Sequence, residues 1–217
     1  MIEFIMNSTF YDFFNSDFVQ NIILILTVVT TLWIYYANQR KQRKYAATNL
    51  ILQIKDIEKN IEFLLSEGLS KDVIQQRPLH YSILIFNEDY WSKYSHLMVG
   101  NLSQLAYEII DNFYKVAYLI REQQNIVKNK IQQSLEYRGL YYYSGVYSRF
   151  NIICGNDKSH ESCQKDINAI ANLYSSPDLN VVPFMPEEVT FGLTQSLKKY
   201  HKLTDGIAYS ELQKIAK

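Results

Sequence analysis

Hydrophobic positions fall into two kinds of stretch along this 217-residue chain. In the first, residues 18–39 (FVQNIILILTVVTTLWIYYANQ), apolar side chains occupy every side of a helix. No charge stands between Asp17 and Arg40. At about 1.5 Å rise per residue, roughly 20 such residues cross a hydrocarbon core of about 30 Å. Thr27, Thr30 and Thr31 interrupt the run, but a helical threonine returns its hydroxyl to a carbonyl one turn back. Trp33, Tyr35 and Tyr36 gather at one end, where amphipathic rings favour the headgroup level. The pattern predicts a single transmembrane helix. A buried core helix is the competing reading, and core helices seldom run this long without a charge. A cleavable signal peptide fits less well: residues 1–17 carry Glu3, Asp12 and Asp17 with no lysine or arginine, and no A-x-A site follows the run.

The second kind of stretch is striped. Over residues 45–67, Ala47, Leu50, Ile54, Ile57, Ile61 and Leu64 recur by threes and fours as a heptad seam. Ile51, Leu52 and Leu65 widen it. No glycine or proline separates this helix from the span, and Gly68 is a natural stop. Asn87 reads as a cap for a short helix with Tyr90, Trp91, Tyr94, Leu97 and Met98 on its apolar face. Asn101 and Gln104 read as a capping box for a long helix over 102–137, with Ala106, Ile109, Phe113, Val116, Ile120 and Val127 inward. Two matching seams predict an antiparallel helix pair within the chain. The alternative is pairing between subunits. Residues 79–86 and 140–153 suit either strand or helix, and shorter helices are expected over 162–174, 187–203 and the final residues.

The fold class is therefore all-α, in four parts. Residues 1–17 form an extracytoplasmic leader, 18–39 the transmembrane helix, 40–44 a basic juxtamembrane cluster, and 45–217 a cytoplasmic helical domain. Orientation follows from Arg40, Lys41, Arg43 and Lys44, because positive flanks stay cytoplasmic. With Trp33, Tyr35 and Tyr36 they form the expected membrane interface, drawn to anionic lipid by on the order of 1 kcal/mol per charge. Composition changes this picture little. The 22 basic and 22 acidic side chains balance, which argues against a wholesale nucleic-acid binder. Two cysteines make no disulfide scaffold. The 18 tyrosines and 11 phenylalanines fit an AT-rich coding bias.

Candidate chemistry is sparse. No nucleophile elbow, phosphate-binding loop, dinucleotide fingerprint or metalloprotease helix occurs. Cys154, Asp157, His160 and Cys163 are the one cluster of ligand types, but the cysteines stand too far apart for a zinc pair. Arg77 and His80 are too close together for a HEPN-type ribonuclease motif. Neither metal nor cofactor is expected. Lys198, Lys199, Tyr200 and Lys202 form a second basic run, suited to phosphates and base stacking or else to a solvated face.

The order of parts, a span followed by RKQRKYAATNLILQIKDIEKNIEFL and then NEDYWSKYSHLMVGNLSQLAYEIIDNFY, resembles small single-pass proteins of low-GC bacteria. Some membrane-anchored abortive-infection (phage-resistance) proteins share it. The resemblance covers about the first 140 residues and carries over no functional residue. It implies membrane attachment with nucleic-acid or protein binding by the cytosolic part. The expected function is thus a non-enzymatic, membrane-anchored interaction module, its partners being lipid, nucleic acid, a protein, or a second copy through the heptad faces. The alternatives are a hydrolase or nuclease with a site in 157–163, and an oligomeric membrane effector.

Overall fold

The computed structural model describes residues 17–70, 73–154 and 187–217, together with Glu161, Gln164, Lys165 and Asn168. The described chain is mostly helical. Helix α1, Asp17–Phe63, runs 47 residues without a proline or glycine. It ends in a widened π turn, Leu64–Gly68. A two-residue antiparallel hairpin follows, β1 Leu69–Ser70 with β2 Val73–Ile74. Helix α2, Gln76–Tyr81, holds Pro78 in its first turn, where a missing N–H leaves no intrahelical bond unmade. Then come α3, Tyr90–Met98, and α4, Gln104–Cys154. Helices α5, Glu187–Lys198, and α6, Ile207–Ala216, complete the described residues.

Polar contacts set the direction of each leg. From α1, Asn60 Nδ2 donates to the Ile85 carbonyl at 3.2 Å, Gln53 Oε1 accepts from the Tyr90 N–H at 3.1 Å, and Arg43 reaches Asn101 Oδ1 at 3.4 Å. The segment 82–98 therefore descends beside α1 towards its apolar end. Helix α4 then ascends: Tyr114 lies level with Gln53, their side chains 3.1 Å apart, and Gln124 lies level with Ile85. The last leg descends again. Gly192 sits beside Gln123, Leu203 and Thr204 meet Glu58, and Glu211 meets Ser103. The result is an up-down-up-down bundle whose two descending legs are each made of two shorter pieces.

This arrangement corrects the expected antiparallel pair. Helices α1 and α4 are the first and third legs, so they run in the same direction. Each packs on the second and fourth legs rather than closely on the other. The reason is the connection between them: the segment 82–98 brings the chain back to its starting level before α4 begins. The seam itself stands as read, but of the residues expected to widen it only Ile51 packs on the core, while Leu52 and Leu65 are exposed. Ala47, Leu50, Ile54, Ile57, Ile61 and Leu64 are at most 1% exposed, sealed by the chain's own α3 and α6. Fully burying each such leucine or isoleucine contributes about 1.5–3 kcal/mol. In α4 the buried stripe takes Ile110 in place of Ile109, and continues through Tyr114, Ala117, Gln124 and Ile131. The helix also runs past residue 137 to Cys154, so 140–153 is helical.

The caps fall two residues later than expected. Asp89 Oδ1, not Asn87, accepts from the Ser92 N–H at 3.0 Å. Ser103 Oγ, not Asn101, accepts from the Ala106 N–H at 3.2 Å. Gly100 has φ +78°, the left-handed conformation that turns α3 into α4 at low cost only for glycine.

Candidate membrane anchor and juxtamembrane cluster

Residues 22–36 of α1 carry a continuous exposed apolar surface. From residue 22 to residue 36, every large apolar side chain is between 41% and 72% exposed, Trp33 the most. One helix among the described residues, this one, is long and apolar enough to span a membrane. Its threonines are internally satisfied. Thr27 donates to the Ile23 carbonyl at 2.8 Å, Thr31 to Thr27 at 2.7 Å, and Thr30 to Leu26. No hydroxyl of the three needs water.

At the end of this surface the side chains become polar and interlocked. Tyr35 and Gln39 bond at 2.6 Å, and Gln39 Oε1 accepts from Arg43 at 3.1 Å. Arg43 continues to Asn101, while Lys44 donates to the Lys217 carbonyl. Tyr36, Arg40, Arg43, Lys44, Asn101 and Lys214 surround a cavity of about 530 Å³. Four of the sequence-expected interface residues thus share one place with the last turn of α6. Lys41 and Trp33 do not line the cavity, and Tyr35 is linked to it through Gln39.

Further along, polar side chains hold the bundle rather than open a site. Glu58, 4% exposed, accepts from the Leu203 N–H at 2.6 Å, the Thr204 N–H at 2.9 Å and the Thr204 hydroxyl at 2.7 Å. Gln124 is fully buried. Its amide donates to Ser82 Oγ at 2.8 Å and the Ile83 carbonyl at 2.9 Å, and its oxygen accepts from Ile85 N–H at 3.3 Å. Lys128 donates to the Ser82 carbonyl, and burial pushes its pKa down. Together with Gln53 and Asn60, these groups satisfy the backbone of the extended segment 82–90, which has no strand partner. None of them was singled out from sequence. A buried glutamine on an apolar stripe was the available signal.

A second cavity, about 580 Å³, opens beside Trp91, Tyr107, Asp111, Tyr114 and Lys115. Trp91 stacks on Tyr114 with centroids 5.8 Å apart and leans on Tyr107 at 4.9 Å. Its indole N–H donates to Asp111 Oδ1 at 2.9 Å, and Lys115 closes on the other oxygen at 2.7 Å. The Lys115 and then the Trp91 bonds hold the Asp111 carboxyl below the usual carboxylate range. Burial pushes the Tyr114 phenol up. Trp91 is buried, so the cluster reads as packing.

The basic run near the C-terminus is divided. Lys198 and Lys199 are exposed at the end of α5. Tyr200 packs its ring on Phe113 at 6.3 Å and encloses its hydroxyl. Burial, with Glu58, Glu62 and Asp205 nearby, raises its pKa. Lys202 pairs with Glu62 Oε1 at 3.1 Å. The Tyr200 ring thus packs on the bundle and is half-buried rather than standing free beside the lysines.

Cys154 ends α4. Asp157, His160 and Cys163, and with them the alternative hydrolase site, lie outside the described residues. Among the described residues, no three His, Cys, Asp or Glu side chains converge as a metal site. Comparison of the chain with protein-family models, with curated proteins and with solved structures finds no match.

Proposed function

We propose that the chain is a single-pass, membrane-anchored interaction module. In this reading residues 18–39 cross the bilayer, 1–17 lie outside the cell, and the helical bundle stands on the cytoplasmic face. One observation carries it: every large apolar side chain of residues 22–36 is exposed, whereas the same helix seals its seam completely from Ala46 onward. Lipid is the solvent that such a surface fits. The positive flank of Arg40, Lys41, Arg43 and Lys44 supports the orientation. Because α1 is continuous through Phe63, the bundle is held upright on its anchor rather than on a flexible tether.

The bundle acts by binding. Glu58, Gln124 and Lys128 are engaged by the bundle's own backbone, and of the basic run Tyr200 is half-buried while Lys202, though exposed, is paired with Glu62. Protein and lipid are favoured as partners over nucleic acid on that ground. A membrane-held binding module is also what the abortive-infection resemblance implies, and phage defence is the biological setting we propose.

Protease protection of a C-terminally tagged chain tests the orientation. The tag should survive protease added to intact spheroplasts and be lost from inverted membrane vesicles. Loss of the tag from intact spheroplasts would reverse the orientation.

A further inference from the structure

The cavity at the foot of the bundle brings together residues nearly the whole chain apart. Tyr36, Arg40, Arg43 and Lys44 come from α1, Asn101 from the turn before α4, and Lys214 from the last turn of α6. Its lining contains five basic side chains, Lys217 being the fifth, and no acidic one. The chain as a whole has zero net charge, so this excess is local and not a by-product of composition. The nearest carboxylate on α6, Glu211, is engaged by the Ser103 N–H and hydroxyl, both at 2.9 Å. Part of the positive charge has internal work. Lys44 serves the Lys217 carbonyl, Arg43 serves Gln39 and Asn101, and Lys214 suits the negative end of α6. Arg40 makes no such contact among the described residues, and each guanidinium keeps donors to spare.

Depth identifies the anion. Counted from Ala37, where the apolar run ends, Arg40 stands about 5 Å and Arg43 about 9 Å further along the axis. The polar layer outside the hydrocarbon is about 5–8 Å thick on each side. Arg40 therefore lies at the depth of lipid phosphates, Arg43 stands just beyond that layer with a side chain long enough to reach back into it, and Tyr36 lines the membrane side of the cavity.

We infer that this cavity binds the headgroup of an anionic phospholipid. The phosphate sits among Arg40, Arg43 and Lys214, with its acyl chains along the exposed face of α1 below Tyr36. The inference rests on the membrane-anchored reading above. It adds that lipid ties α6 to α1, so that headgroup charge stabilises the closing leg of the bundle.

The test uses the full chain reconstituted in nanodiscs of phosphatidylcholine alone or with phosphatidylglycerol. Native mass spectrometry after gentle detergent release counts retained lipid. Phosphatidylglycerol should be retained in preference to phosphatidylcholine. Lys214→Gln and Arg40→Gln should each weaken that retention about fivefold, the equivalent of about 1 kcal/mol per charge near a lipid surface. Lys130→Gln, an exposed lysine on α4 away from the cavity, should change nothing. Retention that ignores headgroup charge, or that survives Lys214→Gln and Arg40→Gln together, overturns the inference and leaves the anchor standing. Displacement of the lipid by millimolar inorganic phosphate, with equal phosphate binding by detergent-solubilised chain, overturns the lipid source in favour of a soluble phosphate. A chain that never enters nanodiscs defeats the anchor itself.

Discussion

Helix α1 is one unbroken element with two different surfaces. Residues 22–36 are apolar all round, and none of their large side chains is covered. From Ala46 to Leu64 a stripe of apolar residues is sealed to within 1%, and only Leu52 and Phe63 stand exposed outside it. Residue types hardly differ: isoleucine and leucine dominate both. Periodicity is what separates them. A stripe has one partner surface and finds it in α3 and α6, while a ring of apolar residues needs a solvent that is apolar in every direction.

The same truncation should therefore have opposite consequences in the two regions. Ile57→Ala opens a hole in the sealed stripe and should cost about 2–5 kcal/mol of bundle stability, read from urea unfolding of the detergent-solubilised chain. Ile25→Ala should leave that curve within about 0.5 kcal/mol. Equal losses at both positions would erase the distinction. Charge reverses the sensitivity. Leu26→Arg, at the centre of the span, should carry an insertion cost of about 2.5–3.5 kcal/mol. It should move the chain out of the membrane fraction while the bundle melts as before.

Smaller effects probe how the bundle closes on α1. Glu58→Ala leaves the buried N–H groups of Leu203 and Thr204 without their acceptor and should cost about 1–3 kcal/mol. Limited proteolysis should then cut between α5 and α6 first. The smallest effect is on pH. Asp111, through Lys115 and Trp91, and Glu211, through the Ser103 N–H and hydroxyl, both have pKa values lowered from their usual 3.8 and 4.5. The stability they add is fully present above those usual values and is lost as pH falls through the lower folded ones. Melting temperature should thus be flat from neutrality to about pH 5 and fall below pH 4.5. In Glu211→Gln the fall should be shallower; an unchanged profile would remove Glu211 from the account.

What could be read from the sequence was what depends on near neighbours. The all-round apolar run, the 45–67 seam and the two terminal helices each repeat within a few residues, and the structure shows them. Features that depend on distant partners were not legible. Residues 79–86 suit either strand or helix; Leu79, His80 and Tyr81 close helix α2, and the backbone beyond is satisfied by Gln53, Asn60, Gln124 and Lys128 from two other legs, so no strand forms. Matching seams suggested a direct antiparallel pair, because nothing in a seam says which leg will lie between. Lys198, Lys199, Tyr200 and Lys202 read as one basic run, whereas Phe113 and Glu62, far away in sequence, engage Tyr200 and Lys202. The juxtamembrane cavity is of the same kind: Arg40 and Lys214 acquire a joint role only when the fourth leg descends to the foot of the first.

The central claim is that lipid covers the naked third of α1. Alkaline carbonate extraction of membranes from cells expressing the full chain tests it most directly. The account predicts that the chain stays in the membrane pellet and that Leu26→Arg releases it. Recovery of the unmodified chain as a detergent-free, soluble monomer would contradict it.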